Sequence, residues 1–494
     1  MKISVQFERK LKPMEVLSRE QLYDIHMSTL EVLEKMGVKV YSDEALTILE
    51  EAGADVDREE RVARIPQHLV EEALKKHPKV VRLCGRNPKF DVALDGRHIT
   101  ADTDGTGLWT YDLETGERRP STKEDVAKTA LIADALDGVG IYYPIVTSLD
   151  YPVHAHVVHE YEAAVNNTEK HFTSGDVFLR EEAQYLIKMA STVVGGLKEL
   201  RRRPIVSAVA CMMSPLILPP DQTDAALEFA KHGVPVIAMT MPLVGSTGPM
   251  TVAGSTLVGN AQILALNTVL QLKYPGTPVI YSSYTLSMDP RTGAYSVAFP
   301  EATMVMVGHI QLARYYGMPS FAGGTISSSK IPDQQAAYEK ALCGLMCMLA
   351  GGDICGTIGM LENYTVLSYE QLIIDYEMYT MMLKMVEGIQ VDDEMLALEA
   401  VYRVGWEGSF LTDKHTLKHV EDSWVPILAD ASPYETWKSK GAKTVVERAK
   451  EKVMEILKTH EPTPLDEDVR KELSRIVAEG EKAIPKKAAK VVAH

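Results

Sequence analysis

Residues 234–285 decide the fold. VPVIAMTMP (234–242) is followed by VAGSTLVGNAQILALNTVLQLK (252–273) and then by TPVIYSSYT (277–285). The outer stretches are short, apolar without alternation, and bounded by Gly, Pro and Thr. That is how strands read when both of their faces are buried. The middle stretch is too long for a strand and reads as a helix. Strand, helix, strand is one β-α-β crossover, the unit of a parallel sheet.

The same unit recurs on both sides. IYYPIVTS (141–148), HFTSGD (171–176), PIVSAVACMMSP (204–215), MPSFAGGT (318–325) and DICGTIGML (353–361) are further strand candidates. EEAQYLIKMASTVVGG, DQTDAALEFAKHG, EATMVMVGHIQLARYYG and QAAYEKALCGLMCMLAGG lie between them as helices. Seven units at intervals of roughly 30–45 residues predict an α/β fold of the β/α (TIM-type) barrel kind, with the eighth strand somewhere beyond residue 360. A doubly wound open sheet is the alternative.

The flanks differ in character. SREQLYDIHMSTLEVLEKMGV, SDEALTILEEAGADVD and IPQHLVEEALKKHP read as capped helices, and 80–118 as turn-rich hairpins. The expected division is an N-terminal helix-plus-hairpin region over 1–120, a barrel over 121–430, and C-terminal helices over 431–494 ending in a loose tail.

The chain has 494 residues, 46% hydrophobic and 24% charged, which is ordinary for a globular enzyme. A formal charge of −16 argues against nucleic acid or anionic membranes as electrostatic partners. Five cysteines without CxxC spacing fit a reducing cytoplasm. No uninterrupted apolar run suggests a membrane span, and MKISVQFERKLKP lacks the apolar core of a signal peptide. No GxSxG, Walker or zinc-finger pattern occurs. Cys343 and Cys347, four apart on an apolar helix, read as buried thiols before they read as a metal pair, and no metal is expected on this chain.

In a β/α barrel the chemistry lies where strands end. Those ends carry Met and Tyr and few basic groups. Tyr281, Tyr284, Tyr295, Phe299 and Tyr338 gather rings towards one face, which suits a cation. Tyr364 and Met241 stand at further ends. The segment GGTISSSKIPDQQ (323–335) leaves a strand through Ser327, Ser328, Ser329 and Lys330 before Asp333 opens a helix. Its hydroxyls and Lys330 read as donors to a ligand, and Gly323-Gly324-Thr325 as an alternative anion cradle. Glu362 and Asn363, just past a strand, and Asp333 are the candidate catalytic groups. His171 reads either as a ligand contact or as a satisfied core histidine.

Several stretches resemble the trimethylamine methyltransferase family, in its branch without pyrrolysine that acts on quaternary amines such as glycine betaine. They are MDPRTGAYSVAFPE, ARYYGMPSFAGGTISSSKIPDQQAAYEKAL, GDICGTIGMLEN and HTLKHVEDSWVPILADASPYETW. The resemblance implies a barrel that moves a methyl group from substrate nitrogen to the Co(I) of a corrinoid (cobalamin) carried by a separate corrinoid-binding protein. It also implies that the residue matching pyrrolysine lies near Lys330 or Ile331, where this chain has only standard residues. Glycine betaine is the favoured substrate, with proline betaine, carnitine and γ-butyrobetaine close behind. Lys330, Arg291, His171 and backbone N–H groups of 323–329 are candidate partners for a betaine carboxylate. A non-catalytic betaine-binding protein is the reading of another class. A homo-oligomer is expected from the apolar helix GLMCMLAGG.

Overall fold

The computed structural model describes residues 3–486 except 104 and 176. Seven parallel strands form one curled sheet, in the order Ser320–Ala322, Val279–Ser283, Val236–Thr240, Val206–Cys211, His171–Ser174, Val139–Tyr142, Ala101–Asp102. The sheet closes through residues 353–358. Ile354 bridges in parallel to both Phe321 and Thr100, and Ile358 bridges to Thr103. The Ile354 N–H donates to Ser320 O at 3.1 Å, and the Cys355 N–H donates to Thr100 O at 3.1 Å. The eighth strand is therefore not downstream of residue 360. It is Ala101–Asp102, within the polar run ITADTDGT, where so short a pairing leaves no apolar trace.

Helices alternate with the strands around the outside, among them Val252–Lys273, Pro300–Tyr316, Gln334–Ala350 and Tyr369–Val386. Caps explain where they begin. Ser18 and Gln21 make a reciprocal capping box for Arg19–Glu31, and the Asp333 side chain accepts from the Ala336 N–H at the start of Gln334–Ala350.

The barrel interior is a separate apolar cluster of Ile141, Val209, Ile237, Ile280, Phe321 and Ile354. Its floor comes from the N-terminal segment: Val5 and the antiparallel pair Val81–Leu83 with Val92–Leu94. The Thr100 hydroxyl donates to Val5 O at 2.6 Å, which ties that floor to the first strand. At the opposite end, Trp109–Tyr111 pairs with Arg118–Pro120 and with the hairpin Met360–Leu361/Val366–Leu367, forming a small sheet on the rim. The C-terminal helices Val445–Thr459 and Glu467–Ala483 pack against barrel helices from outside. No helix among the described residues is long and apolar enough to cross a membrane.

Candidate active site at the barrel mouth

A cavity of about 400 Å³ opens where the strands end. Its wall takes Tyr143, Gly175, Cys211, Met241 and Tyr284 from directly beyond or at the ends of five successive strands, with Val209 and Met239 below them. Gly105, Thr106, Phe178 and Gln222 complete the sides, and Asn363 with Tyr364 forms the last part. The size suits a small molecule. No described lining residue is charged. The wall offers instead the rings of Tyr143, Phe178, Tyr284 and Tyr364 and the thioethers of Met239 and Met241.

Neighbours fix these rings. Tyr284 meets Phe321 edge-on at 5.1 Å and Tyr364 edge-on at 5.9 Å between centroids, and its hydroxyl lies 3.2 Å from Thr357 Oγ1. A side chain at Gly175 would collide with the Tyr143 hydroxyl, so glycine there lets that ring reach the cavity. Gln222 accepts from the Cys211 N–H through Oε1. This fixes the orientation of its amide and leaves its –NH2 as a donor.

Asn363 and Tyr364 are presented by an unusual turn. Glu362, Asn363 and Tyr364 have φ of 52°, 53° and 67°, three successive left-handed residues without a glycine. Such a turn costs about 1 kcal/mol or more per residue and persists only where its surroundings enforce it. Here the enforcing partner is the serine segment. The Glu362 N–H donates to Ser329 O at 2.8 Å, and the Asn363 N–H donates to Ser327 O at 3.0 Å. From the other side, the Val297 N–H donates to Asn363 Oδ1 at 3.2 Å.

The serine segment is held in turn by the helix that follows it. Ser327 Oγ donates to Glu339 at 2.7 Å, the Ser328 N–H to the same carboxylate at 2.8 Å, and Ser329 Oγ to Asp333 at 2.8 Å. Beneath it Lys340 and Asp375, both fully buried, are paired at 2.8 Å. Lys340 Nζ also donates to Thr325 O and Met360 O, and the Gly359 N–H donates to Asp375 at 2.8 Å. Burial pushes the Lys340 pKa down and the Asp375 pKa up, each opposed by the other's charge.

Of the residues singled out from sequence, Tyr284, Asn363, Tyr364 and Met241 reach the cavity. The structure places the others elsewhere. Ser327, Ser329 and Asp333 brace the turn and cap their own helix. Lys330 is exposed and donates to Ser328 O at 2.9 Å. Gly323 and Gly324 are close-approach glycines: a Cβ would strike Cys347 at the first and Thr357 at the second. The Thr325 and Ile326 N–H groups donate to Gly356 O and Gly324 O, which leaves no anion cradle there. Glu362 is on the rim, paired with Arg118 at 2.7 Å.

Tyr281 lies between the sheet and the Val252–Lys273 helix, where its hydroxyl donates to Asn260 Oδ1 at 2.9 Å. His171 is at the start of its strand, bonded to Cys84 O and Ser207 Oγ, and burial lowers its pKa to about 4. Tyr295 and Tyr338 are half exposed, and Phe299 occupies the position before the Pro300–Tyr316 helix. Arg291 pairs with Asp289 in the solvent. Cys343 and Cys347 are buried free thiols. Asp176 of HFTSGD lies outside the described residues.

Sequence reasoning missed Tyr143, Phe178, Cys211, Gln222 and Met239. Tyr143 was legible only by ending the strand at Tyr142 rather than running it on to residue 148. Phe178 and Gln222 belong to a loop and a helix start with no strand rhythm to mark them.

The sequence matches the family described as trimethylamine methyltransferase (MTTB) over residues 2–485. The chain belongs to that family. It is 39% identical over 468 residues to the trimethylamine methyltransferase MttB of Desulfitobacterium hafniense (strain DSM 10664 / DCB-2), covering 94% of this chain and 93% of that one. It is 33% identical over 473 residues to MttB of Methanosarcina barkeri (strain Fusaro / DSM 804), covering 95% of each. It is 30% identical over 476 residues to a glycine betaine methyltransferase of Desulfitobacterium hafniense (strain Y51), covering 95% of this chain and 98% of that one. The solved monomethylamine methyltransferase MtmB of Methanosarcina barkeri superposes with a TM-score of 0.51 at 13% identity, covering 89% of this chain and 88% of that one. That likeness supports the fold alone. As a family member the chain is a methyltransferase of α/β, TIM-barrel type.

Proposed function

We propose that this methyltransferase takes a methyl group from a quaternary ammonium substrate, glycine betaine being favoured, and delivers it to the Co(I) of a corrinoid bound by a separate protein. The observation that carries this reading is the cavity wall: rings and thioethers at the strand ends, with no charged side chain among the described lining residues. A tetraalkylammonium needs no proton to leave, because loss of a methyl group yields a neutral tertiary amine. Trimethylamine, the substrate in several relatives' names, would have to expel an amide-like anion and needs prior activation. The described wall holds no strong acid or base to supply it, and the chain uses only standard residues.

The wall residues divide the work. The faces of Tyr284, Tyr364 and Tyr143 attract the ammonium, at about 0.5–2 kcal/mol for each good contact. The Gln222 –NH2 is the donor best placed for a carboxylate, which favours betaines over plain tetraalkylammoniums. A ligand seated between these rings would displace water from their faces and present a methyl group towards the mouth. Exposed apolar side chains stand on the segments that follow several of the barrel strands: Trp109, Tyr151, Met213, Met250, Tyr295 and Ile331. Such side chains suit a docking protein partner. The cobalt it carries would supply the nucleophile, and the residues of this chain position the methyl group to face it.

The test is incubation of the protein with reduced corrinoid protein, or with reduced cobalamin, and a panel of amines. Methylated-corrinoid absorbance is expected with glycine betaine or another quaternary amine and not with trimethylamine. Absorbance with trimethylamine alone, or with no amine at all, would overturn the proposal. Tight binding of a betaine without transfer would favour a binding protein instead.

A further inference from the structure

His415 and His419, in the stretch HTLKH beyond the last barrel helix, are four apart in the helix Lys414–His419, which places both on one face. Their ring centroids are 4.4 Å apart. The short helix Asp393–Leu396 lays Glu394 against them. His419 Nε2 is 3.0 Å from Glu394 Oε1, and His415 Nε2 is 2.9 Å from the Glu394 carbonyl oxygen. One ligand atom from each of the three side chains lies within 4.8 Å of the other two. The chain has 14 histidines and 68 acidic residues, yet among the described residues no other three such groups, cysteines included, come this close.

The supports of a metal site are present as well. Asp422 lies 2.6 Å from His419 Nδ1 and accepts the hydrogen bond from it. That bond leaves Nε2 as the nitrogen with the lone pair, turned towards Glu394. A lone pair and a carboxylate oxygen 3.0 Å apart repel unless a cation stands between them, and that cation is a proton or a metal. Lys418 Nζ also reaches Glu394 through Oε1, at 2.6 Å, so neither of these contacts uses Oε2. A cleft of about 730 Å³ between the two helices is lined in part by Glu394 and His415, which gives an ion a way in and water a place beside it.

We infer that Glu394, His415 and His419 bind one divalent transition-metal ion, with water as the fourth ligand and Asp422 orienting His419. Two imidazoles and a carboxylate suit Zn²⁺ and its neighbours, whereas Mg²⁺ and Ca²⁺ take oxygen ligands. Bonds of about 2.0–2.1 Å place tetrahedral ligand atoms roughly 3.3 Å apart. None of the three side chains is buried, so they draw in by rotation, and His415 exchanges its bond to the Glu394 carbonyl for the ion. The cysteines, on which the expectation of a metal-free chain rested, take no part.

The position of the ion defines its work. Residues 389–427 hold several short helical pieces, yet Ala400 is the one buried residue among them. Secondary structure without a core cannot repay its ordering entropy by itself, and a bound metal is a common substitute for the missing core. An ion here ties Asp393–Leu396 to Lys414–His419 and, with the Arg403–Asp413 pair at 2.8 Å, holds the segment in one shape. Neither the ligands nor Asp422 lines the cavity at the barrel mouth, so the ion is structural.

The experiment is equilibrium dialysis of the full chain, first stripped with a chelator, against Zn²⁺, with metal counted per chain by mass spectrometry. One Zn²⁺ per chain is expected, and Co²⁺ in its place should show the intense visible bands of a four-coordinate ion. His415→Asn and His419→Asn should each lose the ion on dialysis, and Asp422→Asn should weaken it about 10- to 100-fold. His68→Gln, at an exposed histidine elsewhere, should leave the count unchanged. Zn²⁺ should also slow proteolysis within 389–427 in the wild type and not in the two ligand variants. Should a variant lose its fold by circular dichroism, the Co²⁺ spectrum and the zinc-dependent protection of the wild type still decide. A wild type that binds no Zn²⁺, its cluster then holding a proton alone, or a Zn²⁺ count that survives His415→Asn and His419→Asn together, would overturn the proposal.

Discussion

Two tyrosines three residues apart, Tyr281 and Tyr284, illustrate what decides a residue's role in this barrel. Tyr284 follows its strand and turns into the cavity; Tyr281 lies within it and faces the outer helix. The same contrast separates Tyr281 from Tyr364. Tyr364→Ala removes one wall of the cavity and, on the proposed function, is expected to lower kcat/KM on a quaternary amine about 10- to 30-fold, the equivalent of one or two good cation–ring contacts. Its melting temperature should fall as well, since the ring packs edge-on against Tyr284, so activity is compared well below the transition. Tyr281→Phe should separate the two effects, leaving kcat/KM unchanged while costing about 1–2 kcal/mol for the stranded Asn260 acceptor. Steady-state kinetics with urea unfolding of both variants makes the comparison. The sequence could nominate both tyrosines, but residues three apart at a strand end differ in facing only through where the strand stops.

Buried histidines make stability depend on pH at the same scale. His171 and His309 are both held neutral, with burial lowering each pKa from 6.5 to about 4. Between those values the unfolded chain binds protons that the native protein refuses. Stability is therefore complete above pH 6.5 and falls as pH drops towards 4. Urea midpoints measured across that range should decline on acidification, and His171→Gln should flatten part of the slope. A midpoint independent of pH over this window would contradict the assignment.

At the scale of elements, the central device is the chain of supports from the Gln334–Ala350 helix through the serine segment to the left-handed turn. Asp333 as a helix cap and the helix itself were legible, because Pro-Asp-Gln followed by an apolar run has few other readings. The direction of the serines was not. A hydroxyl that reaches a ligand and one that reaches a carboxylate two turns into the next helix have the same sequence, and only the fold of Glu339 back onto Ser327 and Ser328 distinguishes them. The left-handed turn was equally hidden, since Glu-Asn-Tyr carries no glycine to announce positive φ.

Lys340 anchors this device by holding Thr325 O and Met360 O together. Lys340→Met leaves Asp375 charged and buried, so a loss of about 3–5 kcal/mol is expected in urea unfolding. Asp375→Leu added to it should recover much of that loss, because an apolar pair has no stranded charge. Turnover should stay depressed in the double variant, since the strand end and the hairpin have lost their common donor.

At the scale of the whole molecule, the seven β-α units could be read from their unalternating apolar strands, whereas the closure of the barrel could not. Its first strand is two residues long inside ITADTDGT, and the segment that seals it pairs only through single bridges. What the sequence presents as a preamble of helices and hairpins supplies the barrel's floor. Val5, Val81, Leu83, Val92 and Leu94 belong to the same apolar cluster as Ile141, Ile237 and Ile354. Arg9 donates to Gly352 O, and the Gly96 and Ser320 N–H groups share the carboxylate of Asp353. Floor and barrel thus have one interior between them, and neither can lose the other without exposing it. Calorimetry should accordingly show the first hundred residues unfolding together with the barrel in one transition. Val5→Asp, which puts a charge under the central layer, should lower the temperature of that whole transition rather than split off an early one. An independent low-temperature transition, removed by deleting residues 1–95 with the barrel's own transition unmoved, would show the two to be separate cores.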